Sequence, residues 1–103
     1  MTELKKYVYL CFIKWTAEAH KAPDGYWVEW IKKHDELCHE NDVELVVDGS
    51  AFGCAEDRVY GYATDMHRDA FQDFLRKVRN LHPEISTDYS KTFQVYQRRR
   101  LME

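Results

Sequence analysis

The chain has 103 residues, of which 45% are apolar and 15% aromatic, so it has room for one domain with a substantial core and none for a second of ordinary size. That apolar content argues against disorder, the 32% charged residues supply a solvated exterior, and a formal charge of −3 argues against binding that depends on neutralising a phosphate backbone. The three cysteines, Cys11, Cys38 and Cys54, lie far apart and are odd in number, which suits a reducing compartment better than a disulfide framework. The apolar segment that follows Lys6 is too short to span a bilayer and lacks a cleavage site, so a cytoplasmic, non-membrane protein is expected.

Tyr7 to Trp15 (YVYLCFIKW) is β-branched or aromatic at nearly every position and predicts a central strand buried on both faces. A connection from Thr16 through Pro23, Asp24 and Gly25 leads into a first helix that runs to Asn41. Its apolar stripe is Trp27, Trp30, Ile31, Leu37 and Cys38, and its outer side is charged. Val43 to Asp48 and Arg58 to Thr64 predict a hairpin. Asp65 is a candidate N-cap for a second helix, which carries Phe71, Phe74, Leu75, Val78 and Leu81 at helical spacing and stops at His82-Pro83. Thr92 to Gln97 predicts the last strand, with extended chain from Ile85 before it and a basic tail, Arg98 to Arg100, after it.

This β-α-β-β-α-β order predicts an α+β, ferredoxin-like sandwich spanning residues 7–97: a four-stranded antiparallel sheet with both helices on one face. Period-2 alternation splits the strands into two sets. The uniformly apolar or small set, Val8, Leu10, Phe12, Val43, Leu45, Val47, Val59, Gly61, Ala63, Phe93 and Val95, is expected beneath the helices. The other set, with Tyr7, Tyr9, Tyr60, Tyr62 and Tyr96, would then face away, as an aromatic patch larger than a monomer usually exposes.

In element order, length, the doubly apolar first strand and this aromatic outer face, the chain resembles the dimeric α+β barrel superfamily, in which two ferredoxin-like subunits pack their open sheet faces together. The resemblance implies a homodimer with Tyr7, Tyr9, Tyr60 and Tyr96 at its interface. Members include cofactor-free monooxygenases, cyclases, isomerase-like enzymes and haem-binding proteins, and the fold alone does not choose among them.

His34 falls on the apolar stripe of the first helix, and His67 shares a sector with Phe71 and Phe74 at the start of the second. Either could serve as a general acid/base, and either could be a satisfied structural histidine. Trp27, Trp30, Tyr62 and Cys38 would shape a substrate cavity between the first helix and the sheet, suited to an aromatic or polyketide-like compound. His34 and Cys38 have the i, i+4 spacing of a metal-ligand pair without a third ligand, so no metal and no obligatory cofactor are expected. Cys11 and Cys54 read as packed thiols. The sheet aromatics also invite comparison with RNA-binding sheets, but the basic signature of those is absent from RVYGYAT, and no nucleic-acid partner is expected. Two uses follow. One is a small-molecule-binding, cofactor-independent enzyme of monooxygenase, cyclase or isomerase type, and the other is a non-enzymatic homodimeric interaction or regulatory domain.

Overall fold

The computed structural model describes residues 4–81 and 87–98. Strand β1 covers Tyr7–Trp15, as its composition predicts, and takes the centre of the sheet because it can bury side chains on both faces. A short helix α1, Ala17–His20, interrupts the following connection, capped by the Thr16 side chain, which accepts from the Ala19 N–H at 3.4 Å. Helix α2, Asp24–Glu40, follows Pro23. It ends in a Schellman motif, with the Val43 N–H on the Cys38 carbonyl (2.9 Å), the Asp42 N–H on the His39 carbonyl (3.3 Å) and Asp42 at φ 55°.

Strands β2 (Glu44–Ser50) and β3 (Arg58–Thr64) pair antiparallel, β3 pairs with β1, and β1 pairs with β4 (Thr87–Tyr96). The order is β2-β3-β1-β4, and α2 and α3 (Arg68–Arg79) both pack on one face. The ferredoxin-like arrangement expected from element order is therefore present. The second helix starts later than expected. Its N-cap is His67, while the Asp65 carboxylate accepts from the Lys6 backbone N–H at 2.7 Å and so ties the chain before α3 to the chain before β1. The predicted stop at His82-Pro83 and the tail residues Arg99 and Arg100 lie outside the described residues.

Two corrections concern the sheet. It is an open four-stranded layer with β2 and β4 as free edges, so the expected dimeric α+β barrel is not the architecture. The two faces are also exchanged relative to the alternation reading. Tyr9, Cys11, Tyr60 and Tyr62 lie beneath the helices, all at 3% exposure or less, against Phe71 and Phe74 of α3 and Trp30 of α2. The aromatic outer face that carried the resemblance is thus the core, and Tyr9 and Tyr60 are unavailable as interface residues. Tyr7 is half-buried and packs on the core, and Tyr96 is exposed.

Ring size explains the exchange. Large side chains fill the roughly 10 Å between a sheet and the helices on it, and Tyr9 stacks on Phe71 with ring centroids 3.9 Å apart. The Tyr9 hydroxyl finds its partners at the margin of the core. Tyr9 donates to the Met66 carbonyl at 2.7 Å and accepts from the Gln94 amide at 2.9 Å. The aliphatic set, Val8, Leu10, Phe12, Val47, Val59, Phe93 and Val95, lies on the uncovered face. A bulge in β2 between Leu45 and Val47 divides that strand, so that Leu45 packs on the core opposite Tyr62, while Val47 lies opposite Gly61 on the open face.

Candidate functional site

His34 is held by α2 at 1% exposure, with its Nε2 2.8 Å from the Tyr62 hydroxyl. The Trp30 ring lies 4.6 Å away and the Tyr60 ring 5.2 Å. Burial lowers its pKa to about 4, against a weaker opposing pull from Asp35, so the imidazole is neutral at physiological pH. Burial also drives the Tyr62 hydroxyl well above its ordinary value, so that group stays protonated. The pair is a neutral hydrogen bond inside a packed aromatic cluster, in the manner of a satisfied core histidine.

Of the other cavity residues expected, Trp27 packs edge-on or tilted against Trp15 and Trp30. Cys38 is buried beside His34's helix turn, and burial pushes its thiol up to about 12. Cys11, also buried, rises to about 11 for the same reason. Neither is a thiolate at neutral pH, and so neither is an activated nucleophile. His67 is exposed at the start of α3, and its side chain makes no capping bond. The structure therefore brings His34, Tyr62, Trp30 and Cys38 into one core cluster and leaves His67 at the surface. Among the described residues no group of three or more potential metal ligands exists, and no helix is long and apolar enough to cross a membrane.

Two openings lie on the helix side of the sheet, and the smaller includes Trp30 and Tyr62, two of the four residues expected to shape a cavity there. A recess of about 70 Å³ is floored by Cys11, Ile13, Trp15, Trp30, Tyr62 and Val78. It is smaller than a cavity that admits a benzene ring, about 150 Å³. Next to it, sharing Leu75, Arg79, Ser90 and Thr92, is a groove of about 550 Å³ between α3 and β4. Its helix wall carries Arg68, Gln72, Arg76 and Arg79, and its strand wall Ser90, Thr92 and Gln94, with Tyr9 at its floor. Neither histidine lines either opening. Sequence reasoning passed over these groove residues because arginines at i, i+8 and i+11 on an amphipathic helix read as its solvated face. The signal that could have found them is the polar alternation Ser90, Thr92, Gln94 on a strand whose facing helix offers cations.

At the far end of the open face, Glu56 is 7% exposed, accepts from the Tyr89 hydroxyl at 2.6 Å and pairs with Lys91 at 3.7 Å. That hydrogen bond raises the Tyr89 hydroxyl to about 12. Asp57 accepts from the Trp15 N–H at 2.9 Å and pairs with Lys14 and His20, which holds its carboxyl below the usual range. These two acids clamp the loop after β2 to the ends of β1 and β4.

No family model matches the chain, and no curated protein matches it. Among solved structures it is similar to the C-terminal domain of the MgtC protein from Mycobacterium tuberculosis, with 12% identity over 94% of each chain and a TM-score of 0.47. No residue role follows from a likeness at that level.

Proposed function

We propose that this domain is a non-enzymatic interaction module that pairs with a second copy of itself through the uncovered face of its sheet, the two sheets stacking as open layers and not closing into a barrel. The observation that carries this reading is the chemistry of that face. Val47, Phe93 and Val95 are 40%, 53% and 44% exposed, and they continue into the half-buried Val8, Leu10, Phe12 and Val59 across all four strands. A contiguous apolar surface of this kind marks a contact site.

A second copy is the occupant that the charges favour. Lys14 and Lys91, at one end of the face, are already paired with Asp57 and Glu56 of the same chain. Two such faces can meet about a two-fold axis that keeps Glu44, the exposed acid opposite Ala63 on β2, away from its copy. An acid/base role for His34 has less support, because its imidazole is sealed by Trp30, Tyr60 and Tyr62 and faces neither opening.

Light scattering on a sizing column tests the proposal. The expected mass is twice 12.4 kDa at micromolar concentration, and Val95→Lys, which puts an ammonium on the apolar face at an exposed edge position, should return the protein to 12.4 kDa. A wild-type protein that stays monomeric at its highest soluble concentration would sink the idea.

A further inference from the structure

The groove between α3 and β4 lies on the opposite side of the sheet from the apolar face, and its chemistry is of another kind. Arg68, Gln72, Arg76 and Arg79 fall on one side of α3, and the inward-facing residues of the polar edge strand β4 stand across from them. Among the described residues no acidic side chain lines the groove. Arg76 is drawn to Asp73 at 2.6 Å, but Arg68 and Arg79 form no ion pair with any described residue. Two guanidinium groups that no described acid compensates therefore face a groove in a chain whose net charge is −3.

Neutral donors complete the lining. The side chains of Ser90 and Gln72 make no hydrogen bond to a described residue, and Gln94 spends one amide hydrogen on the Tyr9 hydroxyl, which leaves the other without a described partner. Arg68 and Arg79 are separated by eleven residues, about 16 Å along the helix axis at the usual rise, so the cationic ends of the groove are apart rather than clustered. The volume, about 550 Å³, is that of a small-molecule site.

We propose that this groove binds a small organic molecule carrying phosphate groups, with Arg79 and Ser90 holding one anionic group and Arg68 and Gln94 reaching toward a second. Guanidinium forks match phosphate oxygens in two-point contacts, and the hydroxyl and amide donors can meet a further phosphate oxygen, which a carboxylate with only two oxygens does not present. A nucleic-acid strand fits less well, because on the outer side of α2 Lys32 and Lys33 are interspersed with Glu29, Asp35, Glu36 and Glu40, so the surface there is of mixed sign and offers no basic track.

The test is calorimetric titration and amide chemical-shift mapping of the intact chain with pyrophosphate, with citrate as the carboxylate control and a single-stranded oligonucleotide as the polymer control. Pyrophosphate should bind with shifts concentrated on Arg68 to Arg79 and Ser90 to Gln94. Pyrophosphate is shorter than the separation of the two arginines and occupies one end at a time. Arg79→Gln should therefore weaken binding at the Ser90 end, and Arg68→Gln binding at the Gln94 end, by about tenfold or more, as for a lost charge-assisted bond, while Lys32→Gln on the outer side of α2 should change neither. Both arginine positions are exposed on the helix, so folding of the variants is checked by their unchanged thermal transition. Binding that survives both arginine substitutions, or no pyrophosphate binding at all, overturns the site. Equal binding of citrate, or tighter binding of the oligonucleotide, overturns the ligand class.

Discussion

His34 shows how one residue can be read correctly for position and still leave its purpose open. The helical stripe places it in the core, where it sits at 1% exposure, but only the structure supplies the Tyr62 hydroxyl at 2.8 Å as its partner, because the two are 28 positions apart on elements whose facing sides had to be known first. Its depressed pKa ties stability to pH. An unfolded histidine takes up a proton near pH 6.5, whereas the folded one resists protonation until about pH 4. The unfolded state therefore binds more protons in that interval, and stability is lost as pH falls from 6.5 to 4. The loss is on the order of 3 kcal/mol. Urea denaturation midpoints measured across that interval should fall for the wild type and flatten for His34→Gln, and a wild-type midpoint unchanged between pH 7 and 5 would contradict it. Tyr62→Phe at neutral pH should cost about 1–3 kcal/mol, since it strands a buried ring nitrogen. If that variant is as stable as the wild type, the hydrogen bond is not contributing.

At the scale of elements, β1 and β3 have the ends that their composition predicts, and α2 begins and ends within a residue of expectation. The beginning of β4 was harder to see. Residues Thr87 to Lys91 (TDYSK) show no apolar alternation, because β4 is an edge strand with both sides exposed, and hydrogen bonding to β1 rather than burial makes it a strand. The choice of face failed for a related reason. Both sets of alternating side chains are apolar, so periodicity identifies strands without saying which side the helices cover. Gly61 holds information that the alternation lacks. A Cβ built there would lie 2.9 Å from Val47 Cβ and 3.0 Å from its Cγ2, so the close approach of β2 to β3 on the open face requires a glycine. Gly61→Ala should destabilise by about 1–3 kcal/mol, although alanine normally suits a strand interior better than glycine. A denaturation curve that moves the other way would show that β2 does not lie so close.

For the molecule as a whole, the sheet is a single layer that separates two surfaces of opposite character, an aliphatic face without helices and a cationic groove beside α3. Neither was legible in the sequence. In the sequence the aliphatic face reads as the core, and the groove joins residues from a helix and a strand that each look merely solvated on their own. Neighbouring β4 residues serve different sides: Val95 pairs with Val8 on the open face, while Gln94 reaches the Tyr9 hydroxyl on the groove side. Side chains on opposite sides of one strand share backbone but no partners, and substitutions without shared partners combine additively to within about 0.5 kcal/mol, or about twofold in affinity. The monomeric Val95→Lys protein should therefore bind pyrophosphate within about twofold of the wild type, and Arg79→Gln should leave the mass from light scattering at the dimer value. A tenfold change in either direction would mean that β4 transmits occupancy of one side to the other. The two surfaces would then be coupled sites, and the sheet could not be treated as an inert spacer.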